Sequence, residues 1–284
     1  VRKRLKLIGD RRGIIREWNA TAKAAVAKGC AAKAVSLPQE DRVTLLGTSL
    51  KTAKTDKDGG TMSKVLYLAP GLASGRNVCP WSTAECRASC LGEKSGQMSM
   101  DPARNARSWK TQLYFGDRQR FWSLLSAEIA SHERSAERQD LLPVIRLDGT
   151  SDLGLAARVA HVFPGTMFYD YTKGPQRALA SARGELAENW HVTMSYSGEN
   201  LEDCLRVLEA GGNVATVFGT KPARNGRPGG ALPATWHGFP VVDGDETDAR
   251  WVDGPGRVAG LRFKSNADWA GALERAGSFV EVVA

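Results

Sequence analysis

The 284-residue sequence has no apolar run near the roughly 20 residues that a membrane-crossing helix needs. Its start, VRKRLKLIGDRRGIIR, is basic but lacks the apolar stretch of a secretory signal. A cytoplasmic location without a membrane partner is therefore expected. Histidine is scarce, with four residues, and none lies near a cysteine cluster in sequence. Five cysteines is an odd count, which argues against a disulfide framework in a chain of this length. Aromatic residues make up only 7%, yet 42% hydrophobic and 25% charged residues are enough to bury a core. That balance excludes disorder as the main state.

Net positive charge is also scarce outside one place. The net charge is +8, but residues 1–16 hold seven Lys or Arg against one acid, and the remainder is nearly neutral. A protein that binds nucleic acid by bulk electrostatics spreads its charge over a face. A basic tip suits a contact with phosphates or, equally, a solvated tail.

Residues 17–35 are rich in Ala and Lys and predict a helix. With the polar stretch that follows, they make residues 1–60 a basic, helical N-terminal extension. From residue 61 to 284 an α/β domain is expected. Strands are predicted at 65–69, 144–147, 167–171, 192–196, 214–218 and 258–263. Helices are predicted at 102–115, 118–137, 153–162, 175–188 and 200–210. Strands separated by helices imply right-handed crossovers and a parallel sheet. About six such strands fit an incomplete (β/α) barrel, with an open doubly wound sheet as the alternative. In either, the working groups lie beyond the carboxyl ends of the strands, and here those segments are unusually polar.

The first such segment is PGLASGRNVCPWSTAECRASC, with Cys79, Cys86 and Cys90. Cys86 and Cys90 are four apart and share a face if they sit on one helical turn, and a loop can fold Cys79 back toward them. Three converging thiolates suit zinc or an iron–sulfur cluster. Structural zinc usually takes four ligands, whereas a cluster with one open iron needs only three from the chain. Unliganded reduced thiols are the plain alternative.

DGTSD (148–152) ends the second strand. Asp148 and Asp152 can hold a metal or the ribose hydroxyls of a nucleotide-like ligand, with Gly149 allowing close backbone approach. Equally, Ser151 or Asp152 caps the next helix. Lys173 and Thr172, after the third strand, are candidate anion contacts, and Glu199 in SYSGEN is a catalytic candidate. Asp243, Asp245 and Asp248 fall in VVDGDETDARWVD, which is either a substrate-facing loop or a surface turn. In YFGDRQRFW (114–122), arginines interleave with rings in a way that can support base stacking, but the spacing favours core.

A cysteine loop after the first strand of a parallel barrel resembles the radical S-adenosylmethionine enzymes. Their pattern is Cys-x3-Cys-x2-Cys, whereas the gaps here are six and three residues. The resemblance implies a [4Fe-4S] cluster on Cys79, Cys86 and Cys90, and S-adenosylmethionine at Asp148, Thr150, Ser151 and Asp152. Lys173, Glu199, Asp243 and Asp245 would then face the substrate. Taken together, CPWSTAECRASC, RLDGTSDL, FYDYTK, SYSGEN, GGNVATVF and VVDGDETDARWVD resemble the gene product 88 family of phages and mobile elements, over about residues 62–265. That resemblance implies a phage protein in the cytoplasm of a host cell and carries no mechanism.

Two functions follow as expectations. One is a phage iron–sulfur enzyme acting on a nucleotide or nucleic acid. The other is a non-catalytic protein of replication or host takeover that binds DNA or RNA, its cysteine loop braced by zinc or left as bare thiols. A Mg²⁺-dependent nuclease using Asp148, Asp152 and Asp243 is a third option.

Overall fold

The computed structural model describes residues 44–56, 59–94, 96–220, 229–264 and 269–282. The basic tip, the predicted helix at 17–35 and Cys30 lie outside the described residues.

In chain order the elements are β1 (Leu46–Gly47), α1 (Leu50–Thr55), β2 (Thr61–Leu66), α2 (Ala84–Ala88), α3 (Leu91–Lys94), α4 (Asp101–Gly116) and α5 (Arg118–Arg138). Next come β3 (Leu142–Arg146), β4 (Met167–Thr172), α6 (Pro175–Ala182), β5 (Trp190–Ser195), α7 (Leu201–Glu209) and β6 (Val214–Phe218). The last are β7 (Thr235–Trp236), β8 (Phe239–Asp243), β9 (Val258–Arg262), α8 (Trp269–Ala276) and β10 (Val280–Glu281). The sheet order is β1-β2-β3-β4-β5-β6-β9-β8-β7. From β2 through β9 to β8 every pair is parallel, while β1 and β7 add antiparallel edges.

This is a mixed, mostly parallel sheet wound in one direction. Among the described residues no hydrogen bonds join its two ends, so it is not a closed barrel. All six predicted strands exist, four of them ahead of their expected starts or ends by one to four residues. The predicted helix at 153–162 is instead a single 3-10 turn, Leu155–Arg158.

The winding follows from side-chain alternation. On β4, Phe168, Asp170 and Thr172 face one side, and Met167, Tyr169 and Tyr171 the other. The first side carries the main core, where Leu66, Ile145, Phe168 and Val192 meet α5. That helix buries Phe121, Leu124, Leu125, Ile129, His132 and Ala136, one stripe at helical spacing. Asp117 breaks α4 from α5 and caps the latter, its Oδ1 accepting from the Arg120 amide at 2.9 Å. Further along, Met194, Val214 and Val258 pack with Cys204, Val207 and Leu208 of α7. Cys204 is thus a buried small hydrophobe.

β10 enters where β5 and β6 part. β5 pairs with β6 only at Met194–Val214 and Ser195–Ala215, and Val280 and Glu281 then pair with Val217 and Phe218.

One half-buried acid tunes this packing with pH. Glu133 on α5 accepts a hydrogen bond from Thr166 Oγ1 at 2.8 Å, but burial raises its pKa to about 7. A folded-state pKa above the unfolded value gives a contribution present below about 4.5 and lost as pH rises through about 7. Glu133→Gln keeps an acceptor for Thr166 without the charge. Thermal melts are expected to show Glu133→Gln more stable than wild type at pH 8, with the difference closing at pH 4.

Candidate functional site

The turn after β3 is built around Asp148, whose side chain is 1% exposed. Its carboxylate accepts from Ser151 Oγ (2.6 Å) and from the amides of Leu153, Gly154 and Leu155 (3.1, 2.7 and 3.1 Å). The helix-capping role expected of Ser151 or Asp152 therefore belongs to Asp148. The Asp148 amide in turn donates to Asp170 Oδ1 at 2.8 Å. Burial, and then Asp148, raise the Asp170 pKa well above the carboxylate range.

Gly149 does allow a close backbone approach, but the approaching chain is β2. A Cβ there would lie 2.6 Å from Tyr67 and 2.7 Å from the Leu66 carbonyl. Thr150 Oγ1 donates to the Leu68 carbonyl. Asp152 accepts from Thr172 Oγ1 (2.7 Å), the Lys173 amide (2.8 Å) and Arg177 Nη1 (2.7 Å). The four residues expected to bind a cofactor are brought together, and each spends its side chain on fixing the ends of β2, β3 and β4.

The cysteine loop arches over those ends. Cys79 Sγ lies 3.4 Å from the Gly71 amide, which donates to it, and 3.7 Å from the Thr150 carbonyl. Trp81 lies against Gly174, and Thr83 Oγ1 donates to the Ser197 carbonyl at 3.3 Å. Thr83 also caps α2, accepting from the Cys86 amide at 3.1 Å. The helix ends before Cys90, which opens α3 instead, so Cys86 and Cys90 do not share one continuous helical face.

All three cysteines are half-buried and free of disulfides. Burial pushes the Cys79 thiol up to about 11; the Gly71 amide and Lys173 pull against it, and Cys90 adds to it. Cys90 is likewise raised by burial and by Cys86. The Cys79 and Cys90 thiols are therefore protonated at neutral pH and weak nucleophiles. They sense one another, but among the described residues no three His, Cys, Asp or Glu side chains form a group able to hold a metal ion. In this geometry the trio fits neither a cluster nor a closed zinc site.

Lys173 sits beneath this loop. Its ammonium donates to Ser195 Oγ at 3.4 Å and lies 5.7 Å from the Phe279 ring centroid. It is close enough to Cys79 and Cys204 to favour both thiolates. Glu199 is exposed on the next loop, its amide donating to Ser197 Oγ at 3.4 Å.

Asp243 and Asp245 lie toward the opposite end of the sheet, at the end of β8. Arg262 Nη1 reaches Asp243 Oδ2 at 2.8 Å and Asp245 Oδ2 at 3.3 Å, and Lys264 Nζ reaches Asp245 at 2.6 Å. Burial opposes ionisation of Asp245, yet Lys264 and Arg262 hold its pKa below the usual range. These two carboxylates are not brought together with the cysteine loop.

The same segment then does something sequence reasoning missed. Residues 248–253 are neither a surface turn nor a loop facing out. They plug the sheet face opposite the helices, where Arg250 is 1% exposed and Trp251 packs on Tyr169 with ring centroids 5.2 Å apart. Asp248 accepts from Tyr169 OH (2.9 Å) and Tyr171 OH (3.1 Å) and pairs with Arg146 Nη1 at 3.2 Å. Burial disfavours charge on Arg146, but Asp248 and then the tyrosines hold its pKa above the ordinary value. Arg146 on β3 and Tyr169 and Tyr171 on β4 share this face, but Asp170 and Thr172 make the other face of β4 polar as well, so the strand pattern alone did not mark it.

The comparisons bear on the whole of this arrangement. The family described as Gene product 88 matches residues 43–276. The chain belongs to the Gene product 88 family. No curated protein and no solved structure matches it. The Gene product 88 match begins where the described fold begins, so β1 and α1 belong to the matched region. It lends no support to a radical S-adenosylmethionine barrel. No helix of the described residues is long and apolar enough to cross a membrane.

Removing Asp248 leaves a buried guanidinium and two hydroxyls without their shared acceptor. Asp248→Ala is expected to cost about 3–5 kcal/mol in urea unfolding, and Tyr171→Phe about 1.5–3 kcal/mol. Equal, negligible effects would mean that the plug carries no stability.

Proposed function

We propose that this phage protein receives a nucleotide or nucleic acid at the carboxyl edge of β4 and β5, with Lys173 as its anion contact. The observation that carries this reading is the pairing of charges. Arg146, Arg177, Arg250, Arg262 and Lys264 each have a carboxylate within 3.3 Å. Among the described residues the Lys173 ammonium has none, and meets only a hydroxyl and a ring. A half-buried cation held in place with its charge uncompensated is suited to an incoming anion. Trp81, 46% exposed and lying on Gly174 next to Lys173, offers a stacking surface for a base.

The test is binding of ATP, GTP and a single-stranded oligonucleotide, followed by Trp fluorescence. Lys173→Met is expected to weaken affinity at least about tenfold, a loss of about 1.4 kcal/mol, without lowering the melting temperature. Trp81→Ala is expected to cost about 1–3 kcal/mol of binding. Absence of binding by wild type, or indifference to Lys173→Met, would reject the reading.

We propose as the second reading the iron–sulfur enzyme, on the ground that three reduced cysteines of one loop border the same mouth. It requires the loop to draw its thiols together on loading, since the described residues hold no group of three ligands as they stand. Protein prepared without oxygen is then expected to be brown, with iron and sulfide each near about four per chain. Colourless protein with stoichiometric zinc would select a metal-braced binding protein instead.

A further inference from the structure

The corner between α4 and α5 carries a feature that the mouth does not use. Tyr114, Phe115, Phe121 and Trp122 form one ring cluster, with centroids 5.0–6.3 Å apart and edge-on geometry. Phe121 and Tyr114 are buried, in keeping with a core role for this segment. Its outer side is covered by three exposed arginines. Arg118 lies 4.4 Å from the Tyr114 centroid, Arg158 5.0 Å from that of Trp122, and Arg76 5.7 Å from that of Phe115. All three are within cation–π range.

These arginines come from three separate segments. Arg76 belongs to the loop after β2 that holds Cys79, Arg158 to the 3-10 turn after β3, and Arg118 to the start of α5. Among the described residues none of the three guanidinium groups has a carboxylate partner. The nearby carboxylate of Asp117 is occupied by the Arg120 amide. Each guanidinium lies over a ring while its residue is exposed to solvent. Such planes bind phosphate oxygens at their edges and stack on unpaired bases.

We propose that this arginine-faced ring cluster is a docking surface for the backbone of a single-stranded nucleic acid, whose end or target base reaches the Lys173 mouth. The inference rests on the function proposed above and extends it from a nucleotide to a polynucleotide. Two of the three arginines lie on the segments after β2 and β3 that also carry Trp81 and Asp152, so a strand held there would have a route toward Lys173. Outside residues 1–16 the chain is nearly neutral, which disfavours wide electrostatic adhesion to duplex and leaves local, oriented contacts.

The experiment compares wild type, Lys173→Met and the triple variant R76Q/R118Q/R158Q on a single-stranded oligonucleotide, a duplex of equal length and ATP, across a salt series. The triple variant is expected to lose at least about tenfold in oligonucleotide affinity while binding ATP as wild type does. Its salt slope is expected to be shallower by about 2, because each phosphate contact to a single strand contributes about 0.7. Should the triple variant fail to fold, R76Q alone touches only an exposed loop and is expected to lower the slope by about 0.7.

If the triple variant binds the oligonucleotide as wild type does while Lys173→Met does not, this surface is rejected and the mouth stands. If only the triple variant loses affinity, the surface stands and the mouth is rejected. Wild type that binds no oligonucleotide rejects the surface, and duplex bound as tightly as single strand rejects the single-strand assignment.

Discussion

With a hydroxyl and three backbone amides converging on it, the Asp148 carboxylate turns the end of β3 into a fixed corner. Four donors around one buried anion offset its loss of water, and charge-assisted bonds of this kind are stronger than neutral ones. The corner also sets the neighbouring strands. Its amide is held by Asp170 on β4, and its Gly149 lies too close to β2 for any Cβ. Asp152, four residues on, then clamps the first residues beyond β4, including the Lys173 amide. The position of the Lys173 ammonium thus depends on a chain of contacts that starts at Asp148.

The opposite face of the sheet solves a different problem. With α5, α6 and α7 packed on one face, the Asp248–Asp253 segment covers the other beneath β3 and β4. Polar residues on that face meet polar residues of the plug, so Arg146, Tyr169 and Tyr171 share Asp248. Buried ion pairs add little net stability compared with apolar packing, but they are costly to break and specify one seating. A plug seated by apolar contacts alone could slide; one keyed to a single carboxylate cannot.

Much of this was legible in the residues, for physical reasons that can be named. Runs such as VATVF and VAGLRF read as strands because both faces of a parallel sheet are buried. The first strand begins four residues earlier than its apolar run suggests, since Thr61 and Ser63 bond to Asp56 and need no apolar partner. β1, β7 and β10 are two residues each and have no periodicity to read. The 153–162 helix failed because Gly154 takes a positive φ of 69° and Asp148 ends the turn it starts. Asp148, Asp152 and Lys173 were readable as neighbours at one end of the sheet from their place after strands. Whether a carboxylate there holds a ligand or holds the protein is decided by neighbours distant in sequence, such as Thr172 and Arg177. For the same reason the Arg–Tyr–Asp layer was invisible until Asp248 was placed beneath β3 and β4.

β10 gives the architecture a temporal order. Val280 and Glu281 occupy the seam that opens between β5 and β6, and Gly198 of the loop after β5 packs against Ser278 and Phe279. On a ribosome, the earlier strands can assemble in sequence as each helix returns along the sheet. The seam beside Lys173 stays unfilled until residue 281 has cleared the exit tunnel. Among the described strands β10 is synthesised last, so a nascent chain carries the other strands before it carries the residues that close the seam.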